Sequence, residues 1–277
     1  MTQAILTARF ELDAAARATL DASARLWFVV TALGQWVFAG YVAAYYGPRL
    51  LADGIDGLKG THLANGFIPG DTAGNFAVAG HLLAAAFIMS AGPLQLIPQI
   101  RARFPAMHRW LGRSYLLATV GSSIVGLSLI WTRPLFGPLV NNIATSLDGI
   151  LIIVCAAVAV RYAIARDIRT HSRWALRLFM VASSVWFLRV GFRVWNFLTG
   201  GIGIDEKTFS GPFVTVWHFG QYLLPLVVLE LYLRARDAGN AQARLTVATG
   251  LLALAILTGL GIFLVATGSW LPRLGEA

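Results

Sequence analysis

Charge is what this sequence has least of: Asp, Glu, Lys and Arg make up 13% of its 277 residues, against roughly 25% in a soluble domain. Too little polar material is present to cover a globular fold in water, so a soluble domain is excluded. Cysteine is almost missing as well. The one cysteine, Cys155, falls within an apolar run, so no intrachain disulfide can form and the residue reads as a small core side chain. Glycine-rich phosphate loops, nucleophile elbows and zinc-binding spacings do not occur. Acids are outnumbered, 13 against 22 Lys and Arg, for a net charge of +9. The basic residues gather in short loops beside apolar runs, a distribution that suits anionic lipid headgroups and not nucleic acid. The first 25 residues lack the early apolar run of a cleaved signal peptide.

What is present is apolar: 57% hydrophobic residues and a mean hydropathy of +0.67. A bilayer core needs about 20 apolar residues per helix. Spans are expected near 26–46, 75–97, 108–131, 142–163, 173–198, 213–234 and 245–268. The fold class is therefore an all-α, polytopic membrane bundle of seven transmembrane helices. The whole chain, 1–277, reads as one integral membrane domain: a segment 1–25, the bundle 26–268, and one long glycine-rich loop, 47–74, which carries His62. Loops of that length either move freely or cover a site. Pro48, Pro98, Pro134 and Pro212 fall at or just past span boundaries. Ile5, Leu6, Phe10 and Leu20 have the spacing of a weak amphipathic helix on the membrane surface.

Orientation follows from the basic residues. The N-terminal segment and the loops after spans 2, 4 and 6 hold 15 arginines, from Arg9 to Arg244, whereas the other side holds five basic residues: Arg49, Lys59, Arg133, Lys207 and Arg273. The positive-inside rule then expects a cytoplasmic N-terminus and an external C-terminus.

Histidine is the informative residue type. His81 and His218 lie roughly 9 Å and 8 Å inside their spans at the helical rise, entering from the same side. His108 and His171 each open a span from its arginine-rich end. On span 2, His81, Ala84, Ile88, Gly92 and Gln95 form one stripe; on span 3, His108, Gly112, Tyr115, Thr119, Ser122 and Gly126 form another. His171 shares a face of span 5 with Leu178, Ala182, Arg189, Arg193 and Asn196. Small and polar faces of this kind pack on other helices or on a bulky ligand, not on lipid. Histidines on facing helices can clamp a porphyrin between them, one ring nitrogen on iron and the other donating to an oxygen. Arg109, Arg113, Arg173 and Arg177 at one face, and Arg189 and Arg193 at the other, would neutralise propionates. The bland alternatives are interfacial histidines for His108 and His171, and packing histidines bonded to a carbonyl for His81 and His218.

Span 4 carries Asp148 roughly 9 Å deep, and Arg189 and Arg193 lie one turn apart on span 5. An unpaired charge at such depth costs at least about 2.5–3.5 kcal/mol. Asp148 is therefore expected to pair with one arginine, leaving the other for an anion such as a propionate, a lipid phosphate or a substrate carboxylate. Glu230 is expected either to snorkel or to pair with Arg234 on its own helix.

The stretch HLLAAAFIMSAGPLQLIPQIRARFPAMHRWLGRSY at 81–115, and its weaker echo HSRWALRLF at 171–179, resemble the bacterial family known as domain of unknown function 2306. The shared elements are His81, a Gly-Pro-Leu-Gln turn, the H-R-x-x-G-R-x-Y opening of span 3 and the H-x-R-W-x-x-R opening of span 5. Ser172 and Ala175 depart from the pattern, and His218 stands outside it. The resemblance spans about residues 75–235 and implies a multispan protein of the bacterial inner membrane, without an activity. The histidine layout also looks like that of two-haem b-type transmembrane cytochromes.

Three functions follow. The first is electron transfer through haem b ligated by His81, His218, His108 and His171, exchanging electrons with quinone or another redox partner. The second is a transporter or small-anion-binding protein built on Asp148, Arg189 and Arg193; no inverted repeat and no broken central helix is visible in the sequence to support it. The third is an unliganded accessory subunit whose partner is the lipid bilayer alone. A metal-dependent hydroxylase does not fit histidines split between two depths.

Overall fold

In the computed structural model the described residues are 2–63, 65–133 and 137–275, with side chains left undescribed at 2–9 and 238. Pro134 and the side chains of Ile5, Leu6 and Arg9 therefore lie outside the described residues. Ten α-helices follow in chain order: α1 (Thr2–Asp53), α2 (Thr72–Leu96), α3 (Pro98–Arg103), α4 (Pro105–Thr132), α5 (Leu139–Ile164), α6 (Ile168–Ala182), α7 (Ser184–Thr199), α8 (Pro212–Ala238), α9 (Ala241–Val265) and the short α10 (Leu271–Leu274). No strand forms among the described residues; one isolated bridge, Asp205 to Ser210, closes a loop. Six helices are long and apolar enough to cross a membrane, and a seventh span results when the bent pair α6–α7 is taken as one.

The first helix departs from the expected layout. No glycine or proline occurs between Thr2 and Leu33, so nothing interrupts it, and α1 runs for 52 residues, about 78 Å at the helical rise. The segment before residue 26 is no separate surface helix. It buries Leu20 against Ala235, Ala248 and Leu251, and Arg244 at the start of α9 forms an ion pair with Asp13. At its other end α1 runs through Pro48. That proline stands near the last turns, where it removes one backbone bond and the packed neighbours keep the helix going. Gly54, at φ +59°, ends it. A 3₁₀ turn covers Gly54–Leu58, so the connection without helix is about half as long as expected, 59–71. The Gly-Pro-Leu-Gln segment is likewise no turn: Pro93 lies within α2, and Pro98 starts the next helix.

The expected fifth span is broken. Its halves α6 and α7 meet at 53°, with Ser183 between them. The Ser183 hydroxyl donates to the Phe179 carbonyl at 2.7 Å, and its N–H is shared between Phe179 O and Met180 O. Serine side chains that compete for the helix's own carbonyls bend helices, and serine pairs are a recurrent site of kinks. The break is also held from outside, because Gln35 of α1 donates to Ser183 Oγ at 2.9 Å.

The broken helix runs through the interior. It packs on α2, α5, α8 and α9, and Trp27 of α1 stacks on Phe187. Val181 and Trp186 have no exposed surface. Around it, α1 lies along α9 and α2, α2 against α4, and α4 against α5. Large apolar side chains on the outer faces, such as Leu117, Ile150, Ile256 and Phe263, stay exposed, as lipid contact requires.

Candidate functional site

The faces of α2 and α4 meet as their composition demands. Gln95 approaches Gly112, and Gly92 approaches the rings of Tyr115 and Phe179. Farther along, His81 lies against Gly126, and its Nδ1 is 3.1 Å from the Ser122 carbonyl and 3.0 Å from the Ser122 hydroxyl. A carbonyl only accepts, so His81 Nδ1 carries its proton and Nε2 is the nitrogen left for a ligand.

Beyond His81 the helices part around a cavity of about 440 Å³. Its walls are mostly apolar, with Phe38, Val42, Leu82, Ile88, Met89 and Ile152 among them, but Thr119, Ser123, Asn142 and Thr145 also line it. Three ionisable side chains reach it at membrane depth: His81 from α2, Asp148 from α5 and Arg189 from α7. They lie at one level. Each is nine or ten residues from its helix's loop-bearing end, roughly 13–15 Å at the helical rise. A second cavity, of about 300 Å³ between α1, α7, α8 and α9, carries no ionisable side chain.

The expected pairing of Asp148 with an arginine is not made. Asp148 is 2% exposed and one of its oxygens accepts from the Ser184 hydroxyl at the first turn of α7. The bend at Ser183 brings that turn to Asp148 and leaves Arg189 more than a turn farther along. Arg189 instead returns to the Val185 carbonyl of its own helix, at 2.9 Å, and stands 5.3 Å from the centre of the Phe38 ring. Among the described residues it has no acidic partner. Arg193 does not join it: its guanidinium donates to Ser269, in the π-helical turn after α9, outside the cavity.

The mouth is bordered by residues whose role was not visible in the sequence. Arg133, at the end of α4, donates to Asp71 at 2.9 Å and Asn75 at 2.7 Å, and to the Asn65 carbonyl. Asn75 in turn holds both backbone groups of Ile68. The loop thereby lies over the cavity, which Leu63, Asn65 and Gly66 help to line. Arg133→Ala removes every donor of this fork. We expect a loss of about 2–3 kcal/mol, the scale of hydrogen bonds to a charged group, read as a lowered melting temperature with faster tryptic cleavage after Lys59.

The other histidines are placed elsewhere. His218 is buried, with Nδ1 2.7 Å from the Val214 carbonyl and its ring against Phe192 and Phe209. It does not line the cavity that His81 reaches. At the arginine-rich end, His171 Nδ1 lies 2.9 Å from the Ala159 carbonyl. His108 is close enough to His171, Arg101 and Arg109 to sense their charge, and its Nδ1 is buried without a partner. Arg113 covers Trp110. Arg177 covers Trp174 and pairs with Glu230 at 2.6 Å; the expected Glu230–Arg234 pair gives way to this contact between α6 and α8, which is the more buried. Arg173 pairs with Asp237. Among the described residues, no three of His, Cys, Asp and Glu converge. His62 of the loop stacks on Tyr45.

A family model described as "Predicted membrane protein (DUF2306)" matches residues 78–232, which takes in His81, Asp148 and Arg189 and leaves out α1 and α9. No curated protein matches the chain, and no solved structure does.

Proposed function

From the premise that this chain belongs to the DUF2306 family of predicted membrane proteins, we propose that it binds a small amphipathic anion inside the bilayer. One observation carries this reading: Arg189 lines a mostly apolar cavity at membrane depth and makes no ion pair among the described residues, the carboxylate of Asp148 in the same cavity being bonded to Ser184 instead. A guanidinium there is costly unless a negative charge arrives, and the walls favour a ligand with an apolar body. Arg189 supplies the counter-charge, and His81 lines the same cavity. The broken helix α6–α7 supports a carrier role, because discontinuous helices are how many transporters build sites at this depth.

The test uses purified protein in nanodiscs, with a fluorescent long-chain fatty acid and the matching fatty alcohol as probes. The acid is expected to bind saturably and the alcohol at least tenfold more weakly. Equal binding of the two would refute a charge-selective site.

In this reading the arginine-rich end faces the cytoplasm of a bacterial cell and the loop 59–71 the outside, on the positive-inside bias. A C-terminal alkaline phosphatase fusion should be active; an inactive one beside an active C-terminal fluorescent fusion would reverse the orientation.

A second reading, histidine-ligated haem b, is favoured by one feature. His81, His171 and His218 each engage a carbonyl through Nδ1, the arrangement that leaves Nε2 free for iron. Protein made with haem supplied should then show sharp α and β bands on dithionite reduction, and a flat visible spectrum would end this reading, together with its quinone or other redox partner.

A further inference from the structure

The cavity that Arg189 lines also holds an acid, since Asp148 lines it from α5. The carboxyl takes one hydrogen bond, from the Ser184 hydroxyl. Its other oxygen, Oδ1, is buried without a partner among the described residues, and no cationic side chain there pairs with it. At membrane depth the cavity wall thus carries one guanidinium, one carboxyl group and the imidazole of His81. Other charged and titratable groups near Asp148 are few. Its helix packs on α4, α6 and α8. From α4 comes Arg133, at the mouth and paired with Asp71, while Tyr115 packs on Gly92. From α6 comes Arg177, paired with Glu230. The remaining basic residues of α4 and α6 lie at their arginine-rich ends. From α8 comes Tyr222, close enough to sense Asp148, whereas His218 turns its ring to Phe192 and Phe209. Cys155 follows on α5 itself.

We propose that an anion entering this cavity draws one proton onto Asp148, so that anion and proton bind together. This rests on the anion reading above and names the ion that accompanies the anion. Charge decides it. With an anion on Arg189, an ionised Asp148 leaves the cavity holding two negative charges against one positive. Like charges in one mostly apolar space repel far more strongly than in water, and a second anion drives a neighbouring carboxylate to its neutral form. The proton removes that repulsion and restores neutrality in a medium that penalises net charge. No contact between Asp148 and the anion is required, because the two share one cavity of low polarity. Linkage makes the effect mutual: protonation raises the affinity for the anion by the factor by which the anion raises the affinity for the proton. Anion binding is therefore strongest at low pH and weakens as pH rises. A carrier built on this site moves an anion and a proton with no net charge.

The experiment uses the protein in nanodiscs with dodecyl sulfonate, whose head stays ionised throughout, and counts protons taken up with a pH indicator in weak buffer. Wild type is expected to take up one proton per anion bound. Its affinity should fall about tenfold for each pH unit as pH rises through the range of uptake. Asp148→Asn should bind with no uptake and no pH dependence, while His81→Gln keeps the uptake. In wild type a protonated-carboxyl band should appear in the infrared difference spectrum on binding, which a histidine does not produce; that measurement needs no variant to fold. Binding without proton uptake would overturn the proposal and leave the anion site standing. Uptake without the carboxyl band, or uptake that survives in Asp148→Asn, would place the proton on His81 or another group and overturn it as well. No saturable binding at all would remove the anion reading itself, and the proposal with it.

Discussion

Replacing Arg189 with glutamine is expected to abolish selectivity for the anionic probe while leaving the bundle folded. The guanidinium makes one hydrogen bond within the protein, to Val185 O, and covers Phe38. Little packing is lost on shortening it, and a lone charge at membrane depth is removed, so melting should stay level or rise. Binding is another matter. Truncating one side of a buried charge pair costs about 2–5 kcal/mol, a drop of roughly 30-fold or more in affinity. Binding of the fatty alcohol should be unchanged. Arg193→Gln is the matched control, because Arg193 is engaged with Ser269 outside the cavity. Equal loss in both variants would show that the arginines act through the fold and not through a ligand.

Gly261→Leu should destabilise the bundle on the same scale as Arg133→Ala, through packing alone. A Cβ at Gly261 would lie 2.5 Å from Val190 Cγ1 and 2.9 Å from the Val190 carbonyl. The Val190 side chain alone could rotate away, but the carbonyl belongs to the α7 backbone and moves only with the helix. Without a hydrophobic drive between helices in lipid, such close approach through a small residue is what holds two of them together. Overpacking of this kind costs about 1–3 kcal/mol and sometimes more, and here it would push α7 off α9. Gly250→Leu, on the same helix, meets nothing within 4 Å and should melt like wild type. If the two variants behave alike, the contact at Gly261 is not what positions α7.

The faces that pack were legible in the chain because helical period and residue size are local properties. His81 and Gly92 on α2, with Gly112, Ser122 and Gly126 on α4, stand on their expected stripes and meet across the interface. That Asp148 and Arg189 belong to the same half of the bundle was legible for the same reason, since counting residues along a helix measures distance from its end. Their partners were not. Arg189 and Arg193 are one turn apart, yet a cavity takes the first and Ser269 the second. Nothing in the spacing of Ser183 and Ser184 announced that the fifth span would bend there, as a serine pair in an apolar run also occurs in straight helices.

By itself the sequence determined the medium and the surfaces that must leave lipid, since each follows from apolar area and period along one helix, whereas the seventh crossing depends on taking the bent pair α6–α7 as one span. Only the tertiary structure decided which polar group meets which. A buried charge takes the best partner within reach, and reach depends on helices distant in sequence. Ser184 reaches Asp148 before any arginine does, Arg177 reaches Glu230 before Arg234 does, and Arg133 finds Asp71 and Asn75 across the loop. Those choices leave Arg189 lining a mostly apolar cavity without an ion pair among the described residues, and the proposed function rests on that unpaired charge.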